Sequence, residues 1–154
     1  MFFVTAGTKF YIGDARPDWS ARLVTGADFS GEGWVEFAGF NSLGRAAAEW
    51  CVEQQTLPDP YDPGAPLMIN YTKTTRPDLS MQVVAGILED DLGQIAMLTA
   101  ENSLDAFAFR MTLPNGARRR FIALVMAADH TFDEANSVLC WAFTLRLQSN
   151  MLRD

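Results

Sequence analysis

The residues able to do chemistry are few, and their spacing assembles no catalytic set. His130 is the one histidine of the chain, follows Asp129 and falls in a stretch that reads as a turn. A histidine acting as general base needs a nucleophile tied to it, and no serine or cysteine motif stands in that relation. Cys51 and Cys140 are the only cysteines, too far apart for a local metal motif and too few to complete a site with one imidazole. Glu89-Asp90-Asp91 sets three carboxylates in a row but lacks the Asp-x-Asp-x-Asp-Gly spacing of a calcium loop. At a helix start such residues cap free N–H groups and oppose the positive end of the dipole. No glycine-rich loop ends in Gly-Lys-Ser/Thr, so no Walker-type phosphate site is expected. The reading is of a chain without catalytic, metal or cofactor residues, and not an enzyme.

Arg118-Arg119-Arg120 is the one basic cluster. On a strand Arg118 and Arg120 share a face and Arg119 points opposite, which reads as a solvated or subunit-contacting edge. The net charge of −7 and pI near 4.6 repel phosphate over the surface, against a sequence-reading nucleic-acid binder. DNA passing nearby without being held is compatible with that charge.

The elements that must position these residues fit one domain of 154 residues, expected to bury roughly 68–70% of its unfolded surface. Apolar residues make up 49% of the chain and charged residues 20%, enough for a packed core. The longest apolar run, Phe121 to Ala128, is far short of the roughly 20 residues of a spanning helix. In MFFVTAGTKFYIG the first cation, Lys9, comes after the apolar residues, the wrong order for a secretory signal. Reduced cysteines and cytoplasmic synthesis are the expectation, and the sequon Asn70-Tyr71-Thr72 then carries no weight.

Thr5 to Ile12 reads as a first strand, Trp34 to Gly39 as a second and Glu49 to Leu57 as a third. Ser42 to Ala48 fits either a helical turn or a loop. Four prolines between Pro58 and Pro66 (PDPYDPGAP) fix their own φ and restrict their neighbours, so about residues 58–78 read as a long loop. Leu79 to Leu88 fits a buried strand. Leu92, Ile95, Ala96 and Thr99 then recur at helical spacing in a helix ending near Asn102. Ala106 to Leu113 alternates strictly, and Pro114-Asn115-Gly116 signals a hairpin. The return strand runs from about Arg118 to Ala127. After a polar turn at Asp133 to Asn136, Leu139, Trp141, Phe143, Leu145 and Leu147 share one face, with Cys140, Ala142, Thr144 and Arg146 opposite. The fold class expected is mainly β, an antiparallel β-sandwich or barrel with one flanking helix at about residues 90–102.

This order of elements resembles the tail tube (major tail) proteins of long-tailed phages. The likeness lies in Lys73-Thr74-Thr75-Arg76-Pro77-Asp78 before a strand, Glu89-Asp90-Asp91-Leu92-Gly93-Gln94 opening a helix, the aromatic strand AFAFRMTLPNG, the return RRRFIALVM and a last strand ending LRLQS. AGTKFYIG resembles the first strand of that family, and the segment from Pro58 to Pro66 matches no fixed family pattern. The resemblance implies a sandwich whose six copies close into a ring, with rings stacked as a conduit for DNA in the virion tail. Contractile tails and type VI secretion tubes share that architecture. It implies no cofactor and no catalytic residue. The implied partners are other copies and further tail proteins (tape measure, terminator, distal tail protein), without a membrane and without specific DNA binding.

An open sheet edge tends to pair with another chain, and a head-to-tail contact between identical copies turns that tendency into closure. The long loop is expected to reach a neighbouring subunit or ring through Tyr61, Tyr71, Lys73 and Arg76, with Arg118 and Arg120 as further contacts. Cys140, Ala142, Thr144 and Arg146 are expected on a lumen or subunit-contact face. Acidic walls would keep a polyanion unheld, because each phosphate contact adds affinity. A tail terminator or other head–tail connector, a gene transfer agent or a secretion tube subunit fits the same pattern. A small-ligand-binding β-barrel is the reading from another class, and it requires an enclosed cavity.

Overall fold

The computed structural model describes residues 7–43, 51–74, 79–131 and 139–154. In chain order the strands are β1 (Lys9–Arg16), β2 (Val35–Phe37), β3 (Phe40–Ser42), β4 (Val52–Asp59), β5 (Asp62–Lys73), β6 (Ser80–Gly86), β7 (Ala106–Thr112), β8 (Arg118–Thr131), β9 (Cys140–Leu147) and β10 (Leu152–Arg153). Helix α1 (Leu92–Glu101) lies between β6 and β7, and a 3₁₀ turn spans Gly26–Phe29. The chain divides into two compact units, Met1–Ala46 with Leu79–Asp154 and, separately, Ala47–Asp78. The fold is mainly β, antiparallel and single-helix among the described residues, as the sequence leads one to expect. The expected turn at Asp133 to Asn136, residues 44–48 of the Ser42–Ala48 segment, and Arg76 lie outside those residues.

In the larger unit the sheet runs β2-β1-β7-β8-β9-β6-β3, with β10 added to β8. The two end strands of that path, β2 and β3, are joined in the chain by Ala38 and Gly39 alone. Three residue steps span at most about 11 Å, so the two ends of the sheet meet. The sheet is therefore rolled into a barrel-like form, and Gly39 makes the corner at φ 78°, a conformation available without strain to glycine. Phenylalanine rings fill the interior. Phe10 stacks on Phe109 at 5.7 Å, and Phe109 on Phe121 at 5.6 Å. Phe37 of β2 meets Phe10 edge-on at 5.9 Å and Phe143 of β9 at 5.8 Å, although β9 lies four places away along the sheet. All five rings are fully buried.

Alternation explains which side chains enter. Phe143, Leu145 and Leu147 of β9 and Met81, Val83 and Ala85 of β6 face this core. Ala106, Ala108 and Ile122 point to the opposite face of β7 and β8, where Val24 and Phe29 bury them in a second, smaller core. The alternation expected in β7 is thus present, with both faces covered. Its hairpin closes as Pro-Asn-Gly chemistry dictates. Gly116 takes φ 87°, its N–H donates to the Leu113 carbonyl at 2.9 Å and the Asn115 side chain accepts from the Ala117 N–H at 3.1 Å.

Helix α1 starts where the carboxylate run places it. Asp91 accepts from the Gln94 N–H at 2.9 Å and from the Ala38 N–H at 3.3 Å, so one carboxylate caps the helix and holds the β2–β3 corner. Gln94 is buried and its amide makes three bonds. Its Oε1 accepts from the Leu88 N–H at 3.0 Å, and its Nε2 donates to the Ala38 and Gly86 carbonyls at 3.1 and 2.8 Å. Gly93 packs on β2 so closely that a Cβ there would stand 2.2 Å from the Glu36 carbonyl oxygen. The buried face is accordingly Gly93, Gln94, Met97 and Ala100. This corrects the apolar spacing read in the sequence, because Leu92, Ile95 and Thr99 are exposed and Ala96 is only partly covered. Close backbone approach and a satisfied amide outweigh the burial of two aliphatic side chains.

The segment expected to be a long loop is not one up to Lys73. It is the β4–β5 hairpin, paired from Val52↔Lys73 to Asp59↔Asp62. The prolines misled because they cluster toward its turn, where the ladder shifts register at Pro58. A two-stranded ladder leaves its outer N–H positions without sheet partners, and proline is tolerated there.

Gln94→Leu strands two carbonyls and one N–H in a buried site. It should cost about 2–4 kcal/mol in urea unfolding, and unchanged stability would refute the stitching role given to this amide. Gly93→Ala must push the helix off β2, with an expected loss of about 1–3 kcal/mol in the same assay.

Candidate functional site

Among the described residues no group of His, Cys, Asp and Glu stands where it could hold a metal ion, and no helix is long and apolar enough to cross a membrane. His130 belongs to β8, not to a turn, and stacks on Trp141 at 3.7 Å with the rings nearly parallel. Four surfaces among the described residues hold the candidate contact residues.

The first is the hairpin. In antiparallel pairing, opposed residues share a face, so Val52, Gln54, Thr56, Ile69, Tyr71 and Lys73 lie together, with Leu67 two positions from Ile69. Glu53, Gln55, Leu57, Met68, Asn70 and Thr72 lie on the other side. No residue of the two strands is buried. Val52, Leu67 and Tyr71 are each more than half exposed, and Tyr61 at the turn is 95% exposed. Asp59 shapes that turn by accepting from the Tyr61 N–H at 2.8 Å. Of the four loop residues singled out in the sequence, Tyr71 and Lys73 share the more apolar face and Tyr61 marks the turn. The stripe Val52, Leu67 and Ile69 was missed. Its signal was the alternation of Leu67-Met68-Ile69-Asn70-Tyr71, hidden by the neighbouring prolines.

The second is the exposed side of α1, Leu92 and Ile95, with Leu88 exposed at its foot. Glu89 and Asp90 between them are exposed as well.

The third is the outward face of β9. Cys140, Ala142 and Thr144 are half-buried and Arg146 is exposed. The register sets them beside Gly86, Val84, Gln82 and Ser80 of β6, a surface of small and polar side chains.

The fourth is the arginine cluster, which the structure places differently from expectation. β8 is a central strand, not an edge. Arg118 and Arg120 converge on the Asp154 carboxylate, while Arg118 exchanges backbone bonds with Asp154 at 2.7 and 3.1 Å. Arg120 also lies over the Phe29 ring at 5.3 Å. Both arginines thus fasten β10 to the sheet. Nearby, the 3₁₀ turn is held by Asp28, which accepts from both Nη atoms of Arg22 at 2.6 and 3.3 Å and from the Thr25 N–H at 2.8 Å. The Arg22 hydrogen bond, then the Thr25 N–H, lowers the Asp28 carboxyl from 3.8 to about 2.

No protein-family model and no curated protein matches this sequence; the likeness is one of structure. The sheath/tube terminator of an extracellular contractile injection system (PVC) superposes at TM-score 0.64 with 9% identity, covering 100% of this chain and 97% of that one. A chain of the six-fold symmetrised anti-feeding prophage baseplate gives 0.62 with 13% identity over 100% and 97%. The SPP1 tail tube gives 0.60 with 12% identity over 99% and 79%. The fold is that of tail tube and tube-terminator proteins.

The Asp28 shift sets a sign. The folded state favours the carboxylate, so this anchor supports the fold above the ordinary aspartate range and is lost as pH falls from about 4 through 2. An NMR titration of Asp28 should give a midpoint near 2, and Arg22→Gln should move it upward toward 3.8.

Proposed function

We propose that this chain is a structural tail protein, not an enzyme, whose two units act as a single tail-tube domain. Copies assemble as homohexameric rings that stack into a tube through which DNA passes unheld. One observation carries the reading: a hairpin with no buried residue in either strand and with an apolar stripe, on a fold shared with tube proteins. Two strands alone are marginal in water, so a second surface is needed to cover them, and identical copies supply it. The hairpin reaches a neighbouring subunit or ring through Tyr61, Tyr71 and Lys73, and Arg76, three positions on in the sequence, is a further proposed contact. The six-fold symmetry of the anti-feeding prophage baseplate supports the stoichiometry. The β9 face of Cys140, Ala142, Thr144 and Arg146 is the proposed lumen or contact surface. The protein is made in the host cytoplasm and works in the virion tail, beside tape measure, terminator and distal tail proteins.

A second structural reading, the tube terminator, is favoured by the nearly full-length match to the PVC terminator. The two differ in growth, since a terminator stops at one ring. The ligand-binding barrel is disfavoured by five fully buried phenylalanines in its interior.

Electron micrographs of the concentrated protein should show hollow rings or tubes. Leu67→Glu with Ile69→Glu alters exposed positions only, so the monomer should keep its fold by circular dichroism while assembly is lost. Tubes formed undiminished by that variant would end the role given to the hairpin.

A further inference from the structure

The surface that receives the hairpin can be identified from the same chain. We propose that the Val52–Tyr71 face of one copy seats on the exposed side of α1 of another, over Leu92 and Ile95. This rests on the assembly reading above and names its contact.

A head-to-tail contact between identical copies needs two different patches on each molecule. The hairpin supplies one in Val52, Leu67, Ile69 and Tyr71, between 46% and 61% exposed. On the larger unit, Leu92 is 71% and Ile95 46% exposed, one helical turn apart, and Leu88 is 47% exposed just before the helix.

Charge selects the face of the hairpin. The apolar side of the hairpin carries no carboxylate between Val52 and Tyr71, and Lys73 stands at its end. Glu53 lies on the opposite side, and Asp59 and Asp62 flank the turn. The helix patch is bordered by exposed Glu89 and Asp90. Seating the apolar side brings no carboxylate of the strands against those acids. Seating the other would set Glu53 against them, and like charges repel. The helix also has no further use for these leucine and isoleucine side chains, since its buried side is fully occupied by Gly93, Gln94, Met97 and Ala100.

The test uses full-length protein in a C51S/C140S background. Chains carrying I69C are mixed with chains carrying I95C under conditions where micrographs show assemblies. A disulfide-linked pair of the two chains is expected. Ile95→Glu, at an exposed position, should lower the assembled fraction about tenfold or more without changing the monomer's circular dichroism. Assemblies that form without the cross-link, or that ignore Ile95→Glu, overturn this contact and leave the tube reading standing. A disulfide forming within single I69C/I95C chains at high dilution also overturns it. Chains that stay monomeric at every concentration overturn the tube reading, and this contact with it.

Discussion

Closure of the sheet depends on a small knot of polar contacts at the β2–β3 corner. Asp91 and Gln94, three positions apart on one helix, bind the Ala38 N–H and carbonyl, the Gly86 carbonyl and the Leu88 N–H. Both ends of the strand path and the end of β6 are thereby tied to the first turn of α1. Without that tie the corner would present unpaired backbone groups in a buried place, which is costly. The rings then have an enclosed volume to fill. Phe37 can touch both Phe10 and Phe143 only because the sheet has come round on itself.

Closing the sheet this way decides what the surface offers. A helix pressed backbone-to-backbone on β2 through Gly93 turns Leu92 and Ile95 outward, while Leu98 packs against the core. The barrel-like body buries apolar residues in two cores. The hairpin spends none on a core, and its strands show apolar and polar faces to solvent alike. In the assembly proposed above, further copies cover that ladder.

Charge acts at two scales. Over the whole chain the balance of −7 opposes any lasting hold on a polyanion. Locally, four arginines are engaged in keeping the fold: Arg118 and Arg120 on Asp154, Arg22 on Asp28, Arg16 on Glu32. Within the arginine triplet, which as a string of letters looks like a phosphate contact, Arg118 and Arg120 clamp β10. Strand pairing fixes that outcome, since Arg120↔Leu152 and Arg119↔Arg153 bring Asp154 within reach.

The sequence by itself determined the elements whose physics is local. Alternation wrote β7 and β9, Pro114-Asn115-Gly116 wrote the hairpin between β7 and β8, and Asp91 wrote the start of α1. The side of β9 that enters the core was legible for the same reason, a period of two. Tertiary structure alone decided which side of α1 is buried, because that choice rests on a glycine meeting a distant backbone and on an amide finding partners from two other segments. It also decided that the proline-rich stretch is a ladder, since proline's cost depends on whether its missing N–H would have faced a neighbouring strand. And it decided that His130 and the arginines serve packing and pairing, because their partners, Trp141 and Asp154, are near in space and not in sequence.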